Sequence, residues 1–205
     1  MTRRKIPHEQ IEAPDPFVSI GLDAEWVLES AGKNRILSYQ FCVLNADSGA
    51  RSELIIYPKD SKRITLENGL TRAMLKALRQ GVIAKVPRRF IITAHFTRAD
   101  LTAFEDFGLF KRGVGAVRKS YATTERPLHL QLSSNEGPVR CSATVVDTML
   151  LSPAGTSLEK LGKLLGVHKV ELPDGYSKDR MDLFLRDHPE WFEKYAIADA
   201  IIPAM

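Results

Sequence analysis

At 205 residues the chain is long enough to bury a core and fits one ordinary domain with room for an inserted element, whereas two domains would be a squeeze. Hydrophobic residues make up 44% and charged residues 26%. That is the balance of a globular protein, and no uninterrupted apolar run reaches the length of a membrane span, so no membrane partner is expected. A net charge of +4 suits a polyanionic partner without specifying one.

In chain order, Met1 to Gln10 is basic but is followed by acids and prolines in place of an apolar segment. It does not read as a secretory signal, and an intracellular, cytoplasmic protein is expected. Residues 1–16 are read as an arm and 17–205 as the domain. Phe17 to Trp26 follows a Pro-Asp-Pro break and is rich in β-formers, which predicts a first strand. Arg35 to Leu44 and Glu53 to Tyr57 continue it as a meander. Asn68 to Gly81 carries Leu70, Met74, Leu75 and Leu78 at helical spacing and closes on a glycine. Arg89 to His95 reads as a buried strand and Arg98 to Phe107 as a helix.

Residues 108–143 change character. Lys111 to Lys119 is basic and glycine-containing, and two alternating stretches flank the turn-like Ser133 to Pro138, which predicts an inserted β-hairpin. Ala143 to Leu150 then reads as a strand, Ser157 to Leu165 as a helix closed by Gly166, and Ser177 to Arg186 as another helix. Pro189 fits the first turn of a last helix. Cys42 and Cys141 lie far apart in strand-like segments, with neither metal-ligand spacing nor a disulfide framework, so buried free thiols are expected. A meander followed by alternating helices and strands predicts an α/β fold: a mixed β-sheet with helices packed against it and the hairpin added. The last helix has room to run beyond Met205, so a longer parent protein is expected.

Asp23 and Glu25 are two residues apart on a predicted strand, which sends both carboxylates to one face. Tyr195 and Asp199 are four apart on a predicted helix and share a face one turn apart. Asp100 falls early in a helix that follows a strand. Any one of these acids taken alone is most simply a solvated surface group. Asp23 and Glu25, however, close an apolar strand, where a charge is costly unless paired or bound to a cation.

In order and spacing, Leu22-Asp-Ala-Glu, Ala94-His-Phe-Thr-Arg-Ala-Asp100 and Tyr195-Ala-Ile-Ala-Asp199 resemble the three motifs of the DEDD (DnaQ-like) 3′→5′ exonuclease superfamily. Tyrosine at 195 resembles its tyrosine-type branch, and the resemblance includes the proofreading domains of DNA polymerases. Val146-Asp-Thr-Met-Leu, Ser157-Leu-Glu-Lys-Leu and Leu165-Gly extend the similarity, which spans Ile20 to Ala200. It implies a ribonuclease H-like fold and a two-metal-ion phosphodiesterase. Such an enzyme releases nucleoside monophosphates from single-stranded 3′ ends; DNA is expected before RNA, and the readings left open are a proofreading domain with a polymerase as covalent or separate partner, a stand-alone nuclease and an RNA-trimming enzyme.

The implied cofactors are two divalent cations, Mg²⁺ or Mn²⁺, held by Asp23, Glu25, Asp100 and Asp199, with Tyr195 orienting the attacking water. Asp147 is implied to be structural. Trp26, Phe96 and Lys178 are the candidate contacts to nucleic acid. Phe96 reads either as a base-stacking ring or as core, Lys178 either as a phosphate contact or as a solvated lysine, and the hairpin either as a backbone contact or as a plain edge. His95 reads as a packed strand-end residue. Phe96 and Ala99 stand where the family often has asparagine and an aromatic. That departure motivates a second reading, a non-catalytic nucleic-acid-binding or scaffold module.

Overall fold

Alternation along the first strand, β1 (Val18–Leu28), turns Ile20, Leu22 and Ala24 into one hydrophobic core and leaves Gly21, Asp23 and Glu25 on the opposite face. The computed structural model describes residues 14–29, 32–111, 115–117, 120–122, 127–153 and 155–205. The other strands are β2 (Asn34–Asn45), β3 (Arg51–Ile56), β4 (Arg89–Ala94), β5 (Gly115–Val117), β6 (Ser120–Ala122), β7 (Leu128–Ser134) and β8 (Gly137–Asp147). Six of them form one sheet in the order β3-β2-β1-β4-β8-β7, and β5 pairs with β6 separately. β1, β4 and β8 run parallel in the middle, while β2, β3 and β7 are antiparallel to their neighbours. The expected mixed α/β sheet is therefore present.

The helices are α1 (Leu66–Arg79), α2 (Thr97–Leu101), α3 (Phe107–Phe110), α4 (Thr148–Leu151), α5 (Leu158–Leu165), α6 (Met181–Asp187) and α7 (Pro189–Ala204). α1 covers one sheet face, where Leu66, Leu70, Ala73, Met74 and Ala77 join Ile20, Leu22, Tyr39 and Phe41 in the main core. It begins at Thr65, whose Oγ1 accepts from the Asn68 amide, and stops before Gly81 at φ +70°. α7 covers the other face with α5 and α6; Phe192 and Tyr195 pack there with Val27, Leu37 and Phe184, and Ala200 and Ala204 with Cys42. Both cysteines are buried free thiols, as expected.

Four sequence expectations change. The hairpin around Ser133 to Pro138 forms, with Ser134 paired to Gly137, but it is no appendage. β7 is an edge strand of the main sheet, and β8 runs unbroken into the strand expected at Ala143. That strand stops at Asp147, because the Asp147 carboxylate accepts from the Met149 amide and starts α4. The helix expected from Arg98 to Phe107 breaks after Leu101, since the next backbone groups serve other elements. Ala103 O accepts from the Tyr39 hydroxyl at 2.9 Å, Thr102 O from Arg63, and Asp106 Oδ1 from the Leu66 amide that opens α1. The helix expected from Ser177 is divided, with a 3-10 turn over Lys178–Arg180 preceding α6.

Most of the expected arm and much of the basic Lys111 to Lys119 stretch lie outside the described residues. α1 also reaches the sheet edge, where Glu67 Oε1 accepts from the Gln131 amide and Thr71 Oγ1 from the Ser133 amide of β7. No described helix is long and apolar enough to cross a membrane.

Candidate active site

The β1–β4 ladder ends at Gly21 opposite Thr93, while β1 itself runs on to Leu28. Asp23 and Glu25 are thus not at the end of their strand but just past the end of its parallel pairing, where β4 turns away into α2. A crevice opens at the carboxyl ends of the parallel strands, the place where open α/β sheets commonly bind ligands. α7 closes its far side, and it can come close because residue 21 is glycine: a Cβ there would lie 1.8 Å from the Ala200 carbonyl oxygen. This close approach brings Tyr195 and Asp199 over β1. Opposite Asp23 and Glu25 in the β1–β2 ladder stand Gln40 and Ser38, both fully buried, with Gln40 Nε2 donating to Ser38 Oγ at 2.6 Å. Cross-strand partners share a face, so these two polar side chains floor the acidic cluster.

Asp23, Glu25 and Asp199 each present an oxygen within 4.8 Å of the others. Asp100 stands outside that trio but beside it: its carboxylate feels the charges of Asp23 and Glu25, and the Ala24 amide acts on both Asp23 and Asp100. Burial, reinforced by Asp199, pushes Asp23 up to about 7. Burial and then Asp23 hold Glu25 well above the usual carboxylate range, and burial with Asp23 and Glu25 does the same to Asp100. Asp199 is raised by burial against the opposing pull of Lys169. Among the described residues, the buried side-chain oxygens with no hydrogen-bond partner are Asp23 Oδ2, Asp100 Oδ2, Asp199 Oδ1 and the amide Oε1 of Gln40 beneath them. Crowded, dehydrated, unpartnered carboxylate oxygens are what a hard divalent cation requires, so the donor set fits one.

Tyr195 is buried, its ring edge-on to Phe184 with centroids 6.1 Å apart. Burial, then Asp199, Glu25 and Asp23, drive its phenol far above the ordinary value. It therefore stays protonated, with a hydroxyl able to donate a hydrogen bond. A cleft of about 550 Å³ exposes the cluster and is lined by Asp23, His95, Lys169, Lys178, Tyr195 and Asp199. Lys178 is thus at the site, and its charge acts on Asp23, Glu25 and Asp199. His95 also reaches the cleft, its Nδ1 3.0 Å from Thr148 Oγ1 and its pKa lowered by burial. Trp26 does not line the cleft. It borders a separate groove of about 520 Å³ with Lys33, Asn34, Arg63 and Ala99.

Phe96 is 36% exposed and has a left-handed backbone, φ +78° and ψ +55°, at the start of α2. That conformation is uncommon for a bulky residue, and Asp147 secures it. The fully buried Asp147 carboxylate accepts from the Phe96 amide at 3.0 Å, the Thr97 amide at 2.8 Å, Thr97 Oγ1 at 2.9 Å and the Met149 amide at 2.9 Å. With both oxygens so engaged, Asp147 fixes the turn that leads to Asp100. Asp147→Asn would set an amide N–H₂ against at least one of these donors. We expect it to lower stability by about 1–3 kcal/mol, read as a lower urea midpoint.

Sequence reasoning passed over Lys169. Its Nζ lies 2.6 Å from Asp199 Oδ2 and 5.1 Å from the centre of the Tyr195 ring, with side-chain exposures of 14% for Lys169 and 8% for Asp199. Lys169 falls in the aperiodic segment after Gly166, 30 residues from its partner, so no local pattern marks it.

The fold and site define an α/β domain with a buried carboxylate cluster, able to hold a metal, at the carboxyl ends of its parallel strands. No family model matches the sequence. The chain is 33% identical over 209 aligned positions to the primer-independent DNA polymerase PolB of Escherichia coli. That similarity covers 92% of this chain but 24% of the polymerase, so the chain spans about a quarter of its relative. A solved full-length 3′-exonuclease aligns over 88% of this chain and 64% of its own at 10% identity, with a TM-score of 0.35, too low to bear on the fold.

Proposed function

We propose that the chain is a metal-dependent 3′→5′ exonuclease of the tyrosine-type DEDD class, with a ribonuclease H-like fold over residues 17–205. The observation that carries this reading is the set of buried, unpartnered oxygens of Asp23, Asp100 and Asp199, gathered from β1, α2 and α7 into one crevice. The similarity to a DNA polymerase supports nucleic acid as the substrate, DNA before RNA; action at single-stranded 3′ ends and a proofreading role alongside a polymerase are what the motif resemblance implies.

Asp23, Glu25 and Asp199 would hold the cations, with Asp100 supporting from α2; an all-oxygen donor set favours Mg²⁺ or Mn²⁺. Two such ions, when bound, supply an activated water and neutralise charge on the leaving oxygen. Tyr195, locked as a neutral phenol, donates a hydrogen bond that orients the water and does not act as its base. Lys178, at the cleft mouth, offers an ammonium to the backbone phosphates, and the half-exposed Phe96 ring, held at the start of α2, offers a face to a base. Trp26, in its own groove, would meet nucleotides farther from the reacting end.

The test is incubation of the chain with a 3′-labelled oligonucleotide in Mn²⁺ or Mg²⁺, with Asp199→Asn alongside. We expect nucleoside monophosphates from the 3′ end, stopped by EDTA and lost in the variant. Tight oligonucleotide binding with no cleavage in Mn²⁺ at high protein concentration would instead mark a non-catalytic binding module.

A further inference from the structure

The carboxylate cluster already contains a cation of its own. Lys169 Nζ sits 2.6 Å from Asp199 Oδ2, nearly removed from water, and over the face of Tyr195, where the ring's negative face favours it. The other oxygen, Asp199 Oδ1, is buried and unpartnered. Asp199 is therefore divided, one oxygen tied to the lysine and one left free beside Asp23 and Glu25. Lys169 also lines the same cleft as Asp23.

We propose that Lys169 is a built-in counter-cation of the cluster, which keeps the pocket assembled before metal arrives and weakens its hold on divalent cations. The proposal rests on reading the cluster as a cation site. With no metal, three carboxylates within 4.8 Å of one another repel, and a neighbouring ammonium offsets part of that repulsion. Once a dication enters, the ammonium becomes a like charge a few ångströms away. Even at an effective dielectric constant near ~20 that repulsion is worth several RT. Lys169 is thus a positioning residue for Asp199 and Tyr195 that also sets how readily metal is taken up and released. An aspartate ligand held on one side by a lysine gives a looser, exchangeable site, where the acids alone would trap the ion.

The experiment compares wild type with Lys169→Gln and Lys169→Met in the full chain, measuring Mn²⁺ uptake from the loss of the free-ion electron paramagnetic resonance signal at pH 8.5. Gln keeps a donor for Asp199 Oδ2 without the charge, so it preserves the fold if Met does not. We expect Mn²⁺ to bind at least about tenfold more tightly to the variants. In EDTA the variants should melt below wild type, and saturating Mn²⁺ should narrow the gap, because tighter binding stabilises them more.

A lysine that serves packing alone would leave the melting gap unchanged and Mn²⁺ affinity equal or weaker; either result overturns the proposal. If wild type itself takes up no Mn²⁺ saturably, the reading of the cluster as a metal site fails first. Wild-type uptake with no tightening in either variant sinks only the role of Lys169.

Discussion

Asp23→Asn protein should hydrolyse a 3′-labelled oligonucleotide at least about a thousandfold more slowly than wild type, roughly 4 kcal/mol of lost transition-state stabilisation. In EDTA at pH 8 it should nonetheless be the more thermostable of the two. The two effects share one origin. Burial and the Asp199 charge raise the folded-state pKa of Asp23 from 3.8 to about 7, above its unfolded value. A carboxyl raised in this way contributes fully below about pH 4, where both states are protonated, and loses that contribution as pH rises through about 7. At pH 8 the metal-free wild type therefore carries a penalty on the order of 2–4 kcal/mol that asparagine removes.

The advantage of the variant should grow from pH 5 to pH 8 and reach about 5–10 °C in melting temperature. Saturating Mn²⁺ should reverse the order by stabilising wild type and not the variant. Thermal melts at several pH values, with EDTA and with Mn²⁺, check this. A variant less stable than wild type at pH 8 in EDTA would mean that Asp23 is a structural acid, whatever its effect on activity.

Gly21→Ala should be the most damaging small substitution outside the acids. The new Cβ would fall 1.8 Å from the Ala200 carbonyl oxygen and 2.9 Å from the Ala204 Cβ. Backbone cannot yield as a side-chain tip does, so α7 must move off the sheet. Overpacking of this kind costs about 1–3 kcal/mol and at times more, and a collision with main chain belongs at the upper end. Because the clash is at Ala200, the displaced residues are Asp199 and, one turn away, Tyr195. We expect a lower urea midpoint together with weakened Mn²⁺ uptake. Gly108→Ala, whose Cβ would meet nothing within 4 Å, is the control and should leave both unchanged.

The pairings that periodicity controls were legible in the sequence. Strand alternation placed Asp23 with Glu25, helical spacing placed Tyr195 with Asp199, and the structure brings those pairs together from β1 and α7. The helix beginning at Pro189 and the mixed sheet were legible for the same reason. What periodicity does not control was not legible. The break after Leu101 depends on partners 39 to 64 residues away, such as Arg63 and Tyr39. The fusion of the hairpin with the main sheet depends on β4 accepting β8 along Arg89 to Ala94, a long-range choice that a turn signal at Ser133 to Pro138 cannot encode. Asp147 and Asp100 look alike as letters, one at the end of a strand and one in a helix. The motif resemblance, not periodicity, implied that Asp147 is structural, and the donors around Asp147, with none at Asp100 Oδ2, give the physical reason why one carboxylate anchors and the other is available.

The contacts from Glu67 and Thr71 of α1 to the Gln131 and Ser133 amides of β7 have a colloidal consequence. These amides face outward from the last strand of the sheet, and a bare row of that kind is a template on which a second molecule can add its own strand. With two of them already satisfied by a helix of the same chain, that rim gives a neighbour little to grip.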